Sequence, residues 1–358
     1  MRHLRFSFRT IVAIAALLAI GASAQAAPLA ARVTPGNAAS VLFSGTDADG
    51  GIDDWYVSNG VIQAVIDDVG PQDDLVPLLG VNAPPKVSEF AFTGCSIIDL
   101  GNNGQNNDHL TQIFTVGGLS TSNFVVYNGV SASSTPTSAT ITCTGNLLGF
   151  DVGATPVAPS DLAVVTEYTA ANNDPFLTVT TTVTNNHPTN PAAGLGGFLD
   201  VSLWTQRAQV PFSPVAGKGF KHAVLDFSNI VAALELPAFA PAPGIVGPSD
   251  GVFDPAHNLG IGENAYGILG DEASVDQDGG GPNLPVVSPV NSLFGVNSNL
   301  LTAFGNSPLG TLQPGGVLTY KRRIYVGNRN DVAAVSNPMI SEIAVRRGFA
   351  TGTISGDV

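Results

Sequence analysis

The feature that most limits what this chain can fold into is the pair Asn59-Gly60, set between the apolar runs Trp55-Tyr56-Val57 and Val61-Ile62-Gln63-Ala64-Val65-Ile66. Asn-Gly between two such runs is the strongest short-range hairpin signal, because a two-residue reversal that matches strand twist needs φ > 0 at its centre. A strand therefore enters, reverses and returns. On the returning strand Ile62, Ala64 and Ile66 share one face while Val61 and Val65 flank Gln63 on the other, so both faces are expected to be covered. Gly94-Cys95-Ser96-Ile97-Ile98-Asp99-Leu100-Gly101 reads as a further buried strand. The four prolines within 71–85 make the stretch between them a loop.

The same logic continues along the chain. Strands are expected at 112–116, 124–127, 139–144, 162–169, 177–184, 293–296, 300–304 and 317–326, with a weaker one at 39–43, and 197–206 is apolar apart from Asp200. Ala139, Ile141 and Cys143 alternate with Thr140, Thr142 and Thr144, which turns Cys143 inward. The Pro/Gly-rich stretch 237–255 reads as a long surface loop. Asn337-Pro338 looks like a helix N-cap followed by Pro at the first helical position, and Arg346-Arg347-Gly348 like the end of that helix. Abundant Gly and Pro with 44% hydrophobic content completes the picture of a loop-rich chain with a sizeable core. The expected architecture is all-β: a large antiparallel two-sheet supersandwich over 27–345 with one short C-terminal helix.

Residues 1–26 have the form of an export signal, with Arg2, Arg5 and Arg9 ahead of an apolar middle and Ala24-Gln25-Ala26 as the cleavage site. The chain is thus expected to be secreted or periplasmic. No later window reaches the ~20 apolar residues that a bilayer-spanning helix needs. Losing three leader arginines deepens the formal charge from −14 to −17, which argues against nucleic acid and anionic membranes as partners. Cys95 and Cys143 are the only cysteines, and an even pair in an exported chain points to a disulfide.

Four stretches could carry chemistry. Asp47, Asp49 and Asp53 alternate around Gly50-Gly51, a pattern that suits calcium because hard oxygen ligands must converge through a sharp turn. Ser58 stands where the bidentate acid of such a loop belongs, so a solvated acidic turn is the competing reading. A weaker acidic stretch lies at 271–281. The amide run 102–107 leads into Asn107, Asp108 and His109, whose donors and acceptors suit a hydroxyl-rich ligand or, equally, close a turn. Asp200, Trp204, Arg207 and His222 group aromatic, acidic and basic side chains that could line a sugar pocket, against the alternative of a core Trp with surface charges. No nucleophile elbow, phosphate-binding loop or zinc spacing is present.

VSNGVIQAVIDDVG, GCSIIDLG, NNDHLTQIFTVGGLS, the threonine-rich strand ending TVTNN, and LQPGGVLTYKRRIYVGNRNDVAAV together resemble the N-terminal region of large secreted bacterial proteins. The resemblance implies a β-supersandwich similar to the galactose mutarotase fold, followed in such relatives by carboxypeptidase regulatory-like domains and in some by a metallohydrolase domain of the polymerase-and-histidinol-phosphatase type. Residues 346–358 look like a linker and the first strand of a regulatory-like domain, so further domains of a longer chain are expected. Mutarotases use a His acid and a Glu base. The stretch 194–204, where that His belongs, offers Asp200 instead, which counts against epimerase chemistry. The resulting expectation is an exported, non-catalytic binding or scaffolding module with glycans as the candidate ligand. A carbohydrate-active enzyme using Asp108, His109, Asp200, Arg207 and His222, or a structural stalk, are the alternatives.

Overall fold

The computed structural model describes residues 26–44, 48–69, 94–108, 110–117, 125–148, 159–190, 192–193, 198–204, 210–215, 219–222, 244–247, 266–276, 283–284, 290–291, 297–298, 311–329, 333–346 and 352. Residues 1–25 of the expected export signal, the loop expected at 71–85, and the strands expected at 293–296 and 300–304 lie outside them.

In chain order the elements are β1 (Leu29–Arg32), α1 (Ala38–Val41), β2 (Trp55–Ser58), β3 (Ile62–Ile66), β4 (Ile97–Asn102), β5 (Leu110–Gly117), β6 (Val125–Ser134), β7 (Ser138–Leu148), β8 (Pro159–Ala171) and β9 (Phe176–Asn185). They continue with β10 (Ala192–Ala193), β11 (Phe198–Trp204), β12 (Val210–Val215), β13 (Gly219–His222), β14 (Gly244–Gly247), β15 (Tyr266–Asp276), β16 (Asn283–Leu284), β17 (Val290–Asn291), β18 (Asn297–Ser298), β19 (Thr311–Leu312), β20 (Val317–Val326) and α2 (Ala333–Arg346). The smaller main sheet has six strands in the order β1-β2-β3-β4-β5-β11. The larger has ten, running β13-β12-β14-β15-β20-β9-β8-β7-β6 with β16 beside β15. Every strand pair within them is antiparallel.

Period-2 patterning explains why the two sheets close on each other. On β9 the residues Leu177, Val179, Thr181, Val183 and Asn185 are buried while the intervening ones are half-exposed. Ile141 on β7, Val164 on β8 and Ile324 on β20 join them in one core with Val57, Ile62, Ala64, Ile66, Ile97 and Leu100 of the smaller sheet. Each such side chain is worth roughly 1.5–3 kcal/mol when fully withdrawn from water. The chain is therefore an antiparallel β-sandwich. Cys95, just before β4, and Cys143, on β7, lie 48 positions apart in sequence and are bonded across the interface. The Tyr168 hydroxyl donates to the Cys95 carbonyl at 2.6 Å and holds the same junction.

All five residues of β3 are buried, as the sequence predicts. Ile62, Ala64 and Ile66 face the opposing sheet, whereas Val65 packs outward with Ile98 beneath Phe43 and Leu42 of the N-terminal segment.

Five expectations are corrected. The hairpin reverses at Gly60-Val61, since Asn59 N–H donates to Ile62 O and only Gly60 of these residues has positive φ, at 85°. Gly at the first central position supplies the positive φ that such a reversal needs, so Val61 beside it keeps φ below zero. Asn59 instead serves from the flank, its Oδ1 accepting from the N–H groups of Val61 and Ile62. Residues 38–41 form a short helix in place of the weak strand, and Cys95 precedes β4 at φ 50° instead of lying within it. Within the expected 237–255 loop, Gly244–Gly247 is a strand joining β12 to β15.

The last correction concerns the C-terminal helix, which begins at Ala333 and has Pro338 in its interior. An interior proline forfeits one helical hydrogen bond. Docking offsets the loss: Met339 and Val335 press on Gly267, where an added Cβ would lie 2.4 Å from Met339 Sδ, and Glu342 bonds Arg323 and Tyr325 of β20.

Candidate functional site

The polar residues of interest gather at one corner of the smaller sheet, where β4 ends and β5 begins. Asp99 lies opposite Val65 in the β3–β4 register and so shares the outward face that the N-terminal segment covers. Its Oδ1 accepts the Asp49 N–H at 2.8 Å and its Oδ2 the Gly50 N–H at 3.0 Å. Only glycine allows that approach: a Cβ on residue 50 would sit 2.6 Å from Asp99 Oδ2 and 2.9 Å from Val65 Cγ1. Asp108 stands at the entry to β5, where its Oδ1 accepts the N–H groups of Leu100 at 2.7 Å and Leu110 at 3.2 Å. Asp108 Oδ2 is buried without a hydrogen-bond partner.

Burial shapes the electrostatics of both acids. Desolvation pushes Asp99 up to about 7 against the opposing pull of the two backbone N–H groups, with the Asp49 and Asp54 charges adding to the rise. Asp108 is driven well above the carboxylate range by burial first and by the Asp99 charge second, while the Leu100 and Leu110 N–H groups oppose the shift and the Asp49 charge adds a little.

The amide run folds into a satisfied turn. Asn107 Oδ1 accepts the Asn102 N–H at 3.0 Å, and its Nδ2 donates to Asn102 Oδ1 at 2.9 Å and Gln105 Oε1 at 3.3 Å. Asn106 Oδ1 accepts the Ser44 N–H and Gln63 Oε1 accepts the Gly104 N–H, tying the turn to the N-terminal segment and to β3.

Of the other candidates, Asp200 lies opposite Thr115 and Trp204 opposite Leu110 in the β5–β11 register. The backbone thus brings the 107–108 turn and β11 together. His222 is on β13, opposite Phe212, in the other sheet. His109 and Arg207 lie outside the described residues, as does Asp47. Asp49 is drawn to Asp99 through its backbone, and Asp53, at φ 84°, turns its carboxylate outward to Arg32 at 3.2 Å. Among the described residues no three acidic, His or Cys side chains converge in a way that could hold a metal.

Two residues escaped the sequence reading. Asp99 is an acid inside the apolar run Ile97-Ile98-Asp99-Leu100, which was its visible signal. Arg322 is buried on β20, where Nη1 donates to Thr181 Oγ1 at 2.7 Å and Nη2 to Thr115 Oγ1 of the opposing sheet at 3.3 Å. Thr181 bonds Thr166 at 3.0 Å, and Thr166 bonds the Tyr127 hydroxyl at 2.7 Å, so one polar row crosses the large sheet and ends on the small one.

The solved structures that share this arrangement are distant. A TPR-domain containing protein from Parabacteroides distasonis matches over 77% of this chain and 47% of its own length, with 11% identity and a TM-score of 0.39. A galactose mutarotase related enzyme from Lactobacillus acidophilus matches over 78% and 98%, with 10% identity and a TM-score of 0.32. A putative aldose 1-epimerase from Klebsiella pneumoniae matches over 82% and 85%, with 12% identity and a TM-score of 0.34. The chain spans about half the length of the first of these. No protein-family model and no curated protein matches it. With TM-scores below 0.5, none of these likenesses assigns the chain an activity.

Proposed function

We propose that the chain is an exported, non-catalytic binding or scaffolding module of a larger secreted or cell-surface protein, with glycans as its candidate ligand. The observation that carries this reading is the use to which the corner's polar groups are put. Asn107 and Asp108 are buried and each uses its Oδ1 to accept N–H groups of residues 100, 102 and 110, so they shape the sheet end and are turned away from solvent. The Cys95–Cys143 bond agrees with an oxidising compartment, and no described helix is long and apolar enough to cross a membrane.

A surface for recognition is available on the solvent side of the large sheet. Thr140, Thr142, Thr178, Thr180, Thr182 and Thr319 are half-exposed there, a field of hydroxyls that can both donate and accept. Calcium at the acidic turn remains part of the proposal, with Asp49 and Asp53 as its described members.

A glycan array probed with the purified exported chain, with and without chelator, tests the reading. Selective binding without release of reducing sugar is the expected result, and loss of binding in chelator would assign the acidic turn a share in it. Turnover of a bound glycan would overturn the non-catalytic reading, while silence in both conditions would leave scaffolding as the role.

A further inference from the structure

The two main sheets leave four edge strands, β1, β11, β13 and β6. Three of them are blunted. β13 is four residues long and ends Lys221-His222, β11 contains Asp200 and packs on β18, and β1 is four residues long and gives its Ala30 N–H to Ser134 Oγ at 2.8 Å. Short length, charge and cover are the devices that keep an edge from pairing with another chain. β6 shows none of them after the register shift at Asn128. It is ten residues long, no described strand pairs with its far side, and Ser131, Ala132, Ser133 and Ser134 are exposed.

Charge singles out the same place. The chain carries a formal charge of −14, so two copies repel over most of their surfaces, yet no residue from Leu110 to Phe150 is acidic, basic or a histidine. That stretch runs through β5, β6 and β7. A basic or neutral partner would need no such gap in the acidity, whereas a second copy of this chain does. Leu29, beside the Ala30 that bonds to β6, is 44% exposed and adds an apolar side chain at this margin.

The ladder fixes which backbone groups on β6 are available. Thr135 N–H donates to Ser138 O at 2.7 Å at the hairpin end, and hydrogen-bonded pairs alternate from there. Ser133 and Ser131 therefore bond to β7, while Ser134, Ala132 and Val130 turn their N–H and C=O groups away from it.

We propose that β6 is a homodimer edge: β6 of a second copy pairs with it antiparallel about a two-fold axis through Ala132, joining the two large sheets into one. Ala132 then meets Ala132 of the second copy, Ser131 meets Ser133 and Val130 meets Ser134, so every facing side chain is small and uncharged. The two strands exchange about six backbone hydrogen bonds. The join also carries the solvent face of one large sheet, through Ser131 and Ser133, into that of the other. Use of that doubled face for a glycan rests on the binding reading above; the pairing itself does not.

A contact of one strand on one strand is small beside a standard interface, so the dimer is expected to be weak, with a Kd in the micromolar range or above. The test is sedimentation equilibrium of the purified exported chain, without glycan, from ~1 to ~300 µM, beside Ala132→Lys and Ala132→Pro. Lysine sets like charges face to face on the axis, and proline removes one outward N–H without touching a bond to β7. The parent's mass is expected to approach twice the monomer's across this range, and both variants to associate at least ~10-fold more weakly while melting close to the parent. A parent that stays monomeric at the highest concentration overturns the proposal, and so does an Ala132→Lys variant that dimerises as tightly as the parent. Should proline disturb folding, the lysine variant decides alone, because residue 132 is exposed.

Discussion

Replacing both Cys95 and Cys143 by alanine is expected to lower stability by about 4 kcal/mol, the loop-closure value for a bridge spanning 48 residues. For a chain of this size that is a fall in Tm of roughly 10 °C. The bridge matters more than its entropy alone suggests, because it joins the approach to β4 in one sheet to β7 in the other and both sulfurs are fully buried. Tyr168 on β8 donates to the Cys95 carbonyl, so a displaced Cys95 also strands a buried hydroxyl. Thermal unfolding with reductant checks the effect. Burial should shield the parent's bond until the chain unfolds, and the alanine variant should be indifferent to reductant at every temperature. A double variant that melts within about 2 °C of the parent would mean the two sheets do not depend on this staple.

Arg322→Ala is the second large effect, at about 3 kcal/mol or more by urea unfolding. Arg322 is 2% exposed and is the residue through which the polar row of the large sheet reaches Thr115 on the small one. Truncation removes donors from Thr181 and Thr115 and opens a void between the sheets. Arg322→Met separates these contributions, since an apolar side chain of similar length fills the space and Thr181 can still bond Thr166 at 3.0 Å. The methionine variant should therefore recover more than half of the alanine loss. Equal losses in the two variants would show that charge, and not volume, carries the contact. An alanine variant within about 0.5 kcal/mol of the parent would contradict the bridging role altogether.

How far these features could be read from sequence depends on whether they are local or long-range. The β2–β3 hairpin, the inward turn of Cys143 and the alternation on β9 rest on nearest neighbours and period-2 burial, and the structure has them. The exact reversal point was not legible, because Asn59 can either enter the turn or serve it from the flank with its side chain, and the second option also pairs its Nδ2 with the carbonyls of Ala171 and Asp174 more than a hundred residues away. The same holds for the helix start. Pro338 after Asn337 is a good local start signal, but packing of Val335 and Met339 on β15 overrode it.

The corner of β4 and β5 shows the limit most clearly. The sequence marks Asn107 and Asp108 as polar residues beyond a buried strand, and both the ligand and the turn readings fit that description. What distinguishes them is the partner: Leu100, Asn102 and Leu110 give Asn107 and Asp108 their donors within the turn itself, while the distant residues 49–50 reach the neighbouring Asp99. Arg322 was within reach, because Leu318 and Ile324 turned inward on a strand must turn Arg322 inward too. A basic residue in a basic run reads as solvated unless that alternation is followed through.

The most direct test of the central claim, that the corner acids are built into the fold and not offered to a ligand, is carbodiimide-driven amidation of carboxyls in the native protein, resolved residue by residue. Asp53 and Asp161, with side chains 63% and 62% exposed, should label quickly, and Asp99 and Asp108 should stay unlabelled until the chain unfolds. Labelling of Asp108 at a rate comparable with Asp53 would place it in an open pocket and contradict the account.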